Sequence, residues 1–140
     1  MNEVPDVKSL VVDDEFVPRM LLQRVLQAYG PSDAATNLME ALAAVRHAIE
    51  QQNPYQLICL DIEMPGGSGQ DVLKEIRRLE AELAVPEAHQ TRVLMTSGHS
   101  EPEQVKASFH NGSDGFLVKP VDVERLKKRL REMALIPIES

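Results

Sequence analysis

Short apolar runs alternate with helix-patterned segments along the chain, and this alternation restricts the fold more than any other feature. The runs lie at residues 10–12, 34–36, 57–60, 93–95 and 116–118. Between them, apolar residues recur three or four positions apart, which gives an α-helix one apolar face. Strand and helix therefore alternate five times, which predicts an α/β fold with a mostly parallel sheet and helices on both faces. The weak second run, AAT, predicts an edge strand.

Turn and capping residues predict where two of the later helices begin and end. Ser100 and Glu103 fit a capping box, so the fourth helix is expected to begin at Ser100. The Asn111-Gly112 pair should end it. Asp122 is a suitable N-cap for the fifth helix.

Composition sets limits on the class of protein. A chain of 140 residues is long enough for one domain with a single core. Its net charge of −7 argues against nucleic-acid binding, which usually needs a basic face. No apolar run approaches the roughly 20 residues of a membrane span, and the acidic N-terminus lacks a signal core. The single cysteine, Cys59, cannot form an internal disulfide, so the chain is expected to be cytoplasmic.

Polar residues follow four of the five apolar runs. Parallel strands all deliver their C-terminal ends to the same rim of the sheet, where ligands bind. That rim should collect the residues that end these runs, namely Asp13, Asp14, Glu15, Asp61, Thr96, Ser97, His99 and Lys119.

This set of residues suits phosphoryl transfer. Crowded carboxylates raise one another's pKa unless a cation intervenes, and Mg²⁺ prefers oxygen ligands while leaving positions for water and phosphate. An aspartate beside such a metal can attack phosphorus. The transferred group spreads its charge over three oxygens, which a lysine, a hydroxyl and the metal would each stabilise. The rim is therefore predicted to accept a phosphoryl group.

Four motifs carry a resemblance to a known family. In this order and at this spacing, LVVDDE, LDIEMPGGSG, MTSGHS and GFLVKP resemble the receiver domain of two-component response regulators. The resemblance implies a flavodoxin-like (βα)5 three-layer sandwich with a parallel five-stranded sheet of order 2-1-3-4-5. It also implies a single receiver domain over residues 1–140, with a core from about residue 8 to residue 133.

The resemblance assigns roles to residues at the rim. Asp61 would be the phosphoacceptor and Asp14 the direct Mg²⁺ ligand, while Asp13 would orient the metal and its waters. The metal shell would comprise Asp13, Asp14, Asp61 and the backbone carbonyl of Glu63. Lys119 would contact the phosphoryl oxygens.

The switch hydroxyl is predicted to be Ser97 rather than Thr96. In the family this hydroxyl precedes a small residue and lies a rather fixed distance before the lysine. Ser97-Gly98 meets both conditions, whereas Thr96 is one position too early. A one-residue slip in a strand turns a side chain to the opposite face, so only one of the two can serve. Phe116 matches the aromatic switch position, and the Lys119-Pro120 bond is expected to be cis.

The resemblance implies a signalling partner on each side of the switch. A sensor histidine kinase or a histidine phosphotransfer protein would donate the phosphoryl group, and Phe116 would then rotate inward. The face made by the fourth helix, fifth strand and fifth helix would change shape and control a downstream protein. The chain as a whole is expected to bind neither nucleic acid nor membrane. The basic residues of that face, which suit an acidic partner, include Lys106, Arg125, Lys127, Lys128, Arg129 and Arg131.

Several further features follow from the same resemblance. Beyond its own phosphorylation and dephosphorylation the chain is not expected to be an enzyme, and it would be a monomer or a weak, phosphorylation-linked dimer. Glu63 and His99 stand at positions that influence the lifetime of the aspartyl phosphate. Gly69 matches the family, whereas the Gly66-Gly67 pair is not diagnostic. The longer connection at 81–91 would extend the third helix, form a partner-specific loop or be tolerated at the surface.

Two other classes of protein use similar residues. A haloacid-dehalogenase-like phosphatase also needs an aspartyl phosphate, a hydroxyl, a lysine and Mg²⁺, but it places its nucleophile in an early D-x-D motif. Here Asp61 lies in the middle of the chain, with Glu63 two residues beyond it. A receiver-fold interaction scaffold that is never phosphorylated is the other alternative. The intact acidic pair, together with Asp61, Ser97 and Lys119, argues against that scaffold.

Overall fold

A computed structural model of the protein describes residues 6–65 and 67–138. The strands in these ranges are β1 (Ser9–Val12), β2 (Ser32–Ala35), β3 (Leu57–Asp61), β4 (Glu63–Met64), β5 (Gly67–Ser68), β6 (Arg92–Ser97) and β7 (Gly115–Val118). The α-helices are α1 (Phe16–Leu26), α2 (Leu38–Glu50), α3 (Gly69–Glu82), α4 (Pro102–His110) and α5 (Val123–Glu132). Within residues 6–65 and 67–138, no helix has both the length and the apolar character to cross a membrane.

The main sheet is parallel and has the strand order β2-β1-β3-β6-β7. This is the predicted order 2-1-3-4-5, because β6 and β7 are the fourth and fifth strands of the sheet. β2 lies at the edge and exposes Asp33 and Ala34, as its weak composition predicts. Strand order reverses between β1 and β3, so the rim above these two strands is where a ligand is expected to bind.

The central strands are buried on both faces, which explains their unbroken apolar sequences. Alternate residues of β3 face opposite sides: Ile58 packs in the cluster with α2, α3 and α4, and Cys59 packs in the cluster with α1 and α5. We call these sides the α2–α4 face and the α1–α5 face. The predicted three-layer sandwich is therefore confirmed.

The predicted helix ends are confirmed in part. Asp122 caps α5 by accepting a hydrogen bond from the backbone N–H of Glu124. α4 ends at His110 with Asn111 as its C-cap, and the following Gly112 takes a φ of 106°, which favours glycine. The predicted capping box at Ser100 is wrong, because α4 begins at Pro102 and its N-cap residue makes no side-chain cap. Proline suits the first helical position, where its fixed φ is helical and no N–H needs a partner.

The long connection at 81–91 begins as a continuation of α3. The helix runs to Glu82, and a 3₁₀ turn at Glu87–His89 leads into β6. A buried side chain of α3 holds the end of this connection, because the carboxylate of Glu80 accepts a hydrogen bond of 2.8 Å from the N–H of Thr91. It also accepts one of 2.7 Å from Arg77. The helix therefore covers only residues 81 and 82 of this segment, and the other two alternatives for it, a partner-specific loop and a tolerated surface loop, stay open.

Candidate functional site

Three charged side chains from distant parts of the chain meet at the rim above β1 and β3. Asp13 follows β1, Asp61 ends β3 and Lys119 follows β7. The Nζ of Lys119 lies 3.2 Å from Oδ2 of Asp61 and 3.0 Å from Oδ2 of Asp13. Both aspartates are almost fully buried, whereas Glu15, 3.9 Å from the same Nζ, is exposed. The sheet topology thus joins an acid pair to one ammonium group.

Asp14 completes a group of three carboxylates. Oxygens of Asp13, Asp14 and Asp61 all lie within 4.8 Å of one another, with Asp14 exposed and the other two buried. Such a set of hard oxygen donors, open on one side to water, suits Mg²⁺. Glu63 lies beside it, and its backbone N–H donates to Oδ1 of Asp61 at 3.2 Å. The residues present therefore fit a magnesium ion.

The electrostatics of the site favour a bound cation. Burial, opposed by the positive charge of Lys119 and reinforced by the negative charge of Asp13, raises the pKa of Asp61 to about 6. Burial alone would lower the pKa of Lys119, but its hydrogen bonds and ion pairs with Asp13 and Asp61 outweigh this and raise it. Lys119 therefore stays charged at neutral pH, while the Asp61 carboxylate is under-compensated without a metal.

Ser97 and Thr96 end β6 on opposite faces of the sheet. Thr96 pairs with Asp61 in the β3–β6 ladder. Met95, which precedes Thr96, packs in the cluster of the α2–α4 face, so the alternation of β6 turns Ser97 to that face and Thr96 away from it. Phe116 packs in the same cluster. Ser97 therefore shares a face with Phe116 and with α4, whereas Thr96 does not.

The hydroxyl of Ser97 is held by two neighbouring side chains and one backbone group. Its Oγ donates to Oε2 of Glu63 at 2.5 Å and accepts from the N–H of His99 at 3.0 Å. It also accepts from Nε2 of Gln104 at 3.2 Å. Glu63 accepts two further hydrogen bonds, from the N–H of Gly98 at 2.9 Å and from Gln104 at 3.1 Å.

This cluster sets the ionisation of Glu63. Burial would raise the pKa of its carboxyl, but the hydrogen bonds from Ser97, Gly98 and Gln104 outweigh burial and lower it. The sequence analysis identified Glu63 for its backbone carbonyl and for the lifetime of the aspartyl phosphate, but it did not predict this side-chain cluster and did not identify Gln104. The contact of Gln104 with Ser97 depends on how the first turn of α4 packs against β6. Helical periodicity in the sequence does not predict this packing.

The ring of Phe116 is already buried in this structure. Its side chain is buried at 9% exposure, and its carbonyl accepts a hydrogen bond of 3.2 Å from Nε of Arg129. The expected inward rotation therefore has no outward ring to begin from in this structure. The side chain of His99, in contrast, is 62% exposed and lies 3.6 Å from the carboxylate of Glu101.

Backbone geometry at the rim explains one of the glycines. A Cβ on Gly69 would lie 2.3 Å from the carbonyl oxygen of Asp61 and 2.8 Å from Cα of Ile62, so α3 can begin this close to the end of β3 only with glycine here. A Cβ on Gly67 would meet nothing closer than Leu38, at 3.8 Å. Gly66 lies outside the described residues. The Lys119-Pro120 bond is cis, as the resemblance implies.

The face made by α4, β7 and α5 carries a groove lined by apolar and charged side chains. Val105, Phe109, Phe116 and Val118 contribute to its lining, together with Arg129 and Glu132. Of the six predicted basic residues, three are fully exposed and three partly exposed; the exposed ones are Lys106, Arg125 and Lys128. Arg129 is engaged by Glu132 at 3.1 Å and by the carbonyl of Phe116.

Sequence comparison identifies the family. The response regulator receiver domain matches residues 9–131. The chain is 30% identical over 136 residues to the sensory/regulatory protein RpfC of Xanthomonas campestris pv. campestris, covering 94% of this chain and 17% of that protein. It is 31% identical over 134 residues to the transcriptional regulatory protein ResD of Bacillus subtilis, covering 95% of this chain and 50% of ResD. The chain thus spans half or less of these relatives, and it belongs to the response regulator receiver domain family.

Solved structures show the same architecture. The chemotaxis protein CheY4 of Vibrio cholerae has a TM-score of 0.76 at 29% identity, over 91% of this chain and 98% of that one. The receiver domain of the histidine kinase CKI1 from Arabidopsis thaliana, solved with Mg²⁺ and BeF₃⁻, has a TM-score of 0.77 at 28% identity. That match covers 91% of this chain and 89% of the other. The predicted flavodoxin-like fold, in its CheY-like form, is therefore confirmed.

Proposed function

We propose that Asp61 accepts a phosphoryl group from a sensor histidine kinase or a histidine phosphotransfer protein in a Mg²⁺-dependent reaction. The observation that carries the proposal is the meeting of three carboxylates with Lys119, whose Nζ lies 3.2 Å from Oδ2 of Asp61. The Mg²⁺ and BeF₃⁻ in the related CKI1 receiver domain support it. A cytoplasmic setting is part of the proposal.

The chemistry is a single displacement at phosphorus. An oxygen of Asp61 forms the new O–P bond, the P–N bond to the donor histidine breaks, and the imidazole leaves with the electron pair. Bound Mg²⁺, held by Asp13, Asp14, Asp61 and the carbonyl of Glu63, would supply positive charge to the phosphoryl oxygens. Lys119 would add a second cation from the other side of Asp61.

The output would be a change in the face formed by α4, β7 and α5. An aspartyl phosphate carries about −1.5 to −2 charges by analogy with other phosphorylated side chains, and it would draw the Ser97 hydroxyl towards it. The loop after β6 and α4 would then move, shifting the population between two states. The exposed basic side chains on this face, Lys106, Arg125 and Lys128, suit an acidic protein partner. The chain would act as a monomer or a weak, phosphorylation-linked dimer, without catalysis beyond its own phosphorylation and dephosphorylation.

Phosphorylation by a small donor tests the proposal. After incubation with Mg²⁺ and acetyl phosphate, intact-mass spectrometry should show one added phosphate per chain. Asp61→Asn should gain none, and Asp14→Ala should lose the metal-dependent reaction. Asp71→Asn, which makes the same chemical change at an exposed position of α3, should be labelled like the wild type.

Three outcomes would contradict the proposal. Label that persists in Asp61→Asn would place the acceptor elsewhere. Multiple turnover of a phosphate ester such as p-nitrophenyl phosphate would favour a haloacid-dehalogenase-like phosphatase. A wild-type chain that neither gains phosphate nor binds beryllofluoride would be an interaction scaffold.

A further inference from the structure

We propose that Glu63 and Gln104 form a latch that holds the Ser97 hydroxyl away from Asp61 and ties it to α4 until phosphorylation breaks the contact. The proposal rests on the proposed function, because it names the residues that resist the switch. Three hydrogen bonds define the latch: Ser97 to Glu63 at 2.5 Å, Gln104 to Glu63 at 3.1 Å and Gln104 to Ser97 at 3.2 Å.

The latch is a competition for one proton. A serine hydroxyl has a single donor hydrogen, and in this structure that hydrogen is donated to the carboxylate of Glu63. A phosphoryl group on Asp61 could receive it only after the hydroxyl turns away from Glu63. Hydrogen bonds to charged groups are among the stronger ones in proteins, so this carboxylate opposes the switched state. Glu63 would remain partly satisfied by the N–H of Gly98, at 2.9 Å.

Gln104 connects the hydroxyl to the output face. It lies in the first turn of α4, and its side-chain amide donates to both Ser97 and Glu63. Its backbone carbonyl accepts from Nε2 of Gln70 at 3.3 Å, and Oε1 of Gln70 accepts from Asn111, at the other end of α4, at 3.0 Å. α4 is thus tied to α3 along its length and to the switch hydroxyl at its start.

The position of Phe116 makes this polar contact the part of the switch that has to change. Its ring is already buried, so an inward rotation of the ring would change its position little. Ser97 and Gln104, in contrast, are joined by one hydrogen bond of 3.2 Å, which breaks when the hydroxyl oxygen moves away from α4. Release of Gln104 would free the start of α4, and α4 forms one side of the groove on the output face.

Beryllofluoride binding tests the competition. In Mg²⁺, calorimetric titration should show that Glu63→Ala binds beryllofluoride about three- to tenfold more tightly than the wild type, because the opposing acceptor is gone. The control variant Glu103→Ala removes an exposed carboxylate from the first turn of α4, next to Gln104, and should bind beryllofluoride like the wild type. The gain should disappear when Glu63→Ala is combined with Ser97→Ala, because the competition acts through that hydroxyl.

The variant that combines Glu63→Ala with Ser97→Ala distinguishes the latch from simple charge repulsion between Glu63 and beryllofluoride. A gain that persists in the Ser97→Ala background would show that Glu63 acts only through its charge, and would overturn the proposal. Equal or weaker binding by Glu63→Ala would also overturn it. If Glu63→Ala fails to fold, Glu63→Gln removes the charge with nearly the same shape and should show a smaller gain. Failure of the wild type to bind beryllofluoride would instead refute the proposed function.

Amide NMR tests the link to α4. In the unliganded Gln104→Ala chain, the resonances of Val105 and Phe109 should move towards their positions in the beryllofluoride-bound wild type. Resonances that stay at the unliganded wild-type positions would show that Gln104 does not restrain α4. Asp61→Asn, which keeps the latch, should leave these resonances near the unliganded wild-type positions with or without beryllofluoride.

Discussion

Replacing Asp61 by asparagine should stabilise the metal-free chain. The carboxylate is 2% exposed, and burial with the nearby charge of Asp13 raises its pKa from an ordinary 3.8 to about 6 despite Lys119. At neutral pH the native state therefore holds a carboxylate that is less stable than it would be in the unfolded chain. Asparagine has nearly the same shape without the charge, so the substitution removes this penalty.

The size of the effect follows from the pKa. The difference between 3.8 and about 6 corresponds to about 3 kcal/mol at about 1.4 kcal/mol for each tenfold change in proton affinity. Asparagine gives Lys119 a weaker partner than a carboxylate, so we expect a net gain of about 2 kcal/mol in the free energy of unfolding. For a domain of this size, that gain corresponds to a rise of about 6 °C in Tm.

The sign of the stability difference between the wild type and Asp61→Asn can be tested by changing the pH. A raised pKa means that the folded wild type binds the proton of Asp61 more tightly than the unfolded chain does. The wild type therefore gains stability, relative to the variant, as pH falls through about 6 towards 3.8, and it loses that stability as pH rises again. The advantage of Asp61→Asn should be largest near neutral pH and should shrink in acid.

Urea unfolding followed by circular dichroism, with EDTA, measures this difference at each pH. Asp71→Asn controls for the loss of one exposed carboxylate and should change little. Added Mg²⁺ should stabilise the wild type more than Asp61→Asn, since a ligand that binds the native state stabilises it. A variant less stable than the wild type at neutral pH, or a difference that does not vary with pH, would refute the electrostatic reasoning.

Two further substitutions test the scaffold of the site by the same unfolding measurement. Gly69→Ala should cost at least about 2 kcal/mol, because its Cβ would lie 2.3 Å from the backbone oxygen of Asp61; Gly67→Ala, with open space, is the matched control, and equal losses would contradict the steric reasoning. Arg77→Leu should cost about 3 to 5 kcal/mol, because it leaves the buried carboxylate of Glu80 without its ion pair. Arg78→Leu, on the exposed side of α3, should cost less than about 1 kcal/mol, and a similar loss at both arginines would argue against the buried pair.

Much of the fold and of the rim could be predicted because both depend on strand order rather than on detailed packing. Once the alternation of strand and helix is recognised, parallel pairing places the residues after β1, β3 and β7 at one edge. Asp13, Asp61 and Lys119 meet there although Lys119 follows Asp13 by 106 residues. The weak composition of β2 also predicted its edge position correctly.

Features that depend on contacts between loops could not be predicted. The β4–β5 ladder pairs only Glu63 with Ser68 and Met64 with Gly67, which is too short to leave a periodic pattern. The start of α4 was misplaced because the Ser100 capping signal is local, whereas Pro102 fixes the first turn.

Asp61 and Glu63 are stabilised in different ways, although only the Asp61 carboxylate is buried and Glu63 is exposed, and this difference bears on how the switch would work. Asp61 is balanced mainly by Lys119 and remains under-compensated, which makes it responsive to a metal and to a phosphoryl group. Glu63 is satisfied by Ser97, Gly98 and Gln104, so its charge is already stable. A phosphoryl group on Asp61 would neutralise none of that second charge and would compete with it for the Ser97 proton. In the proposed switch, the free energy available for moving α4 would be the difference between two hydrogen bonds made by one hydroxyl, and Glu63 would set how far phosphorylation shifts the population.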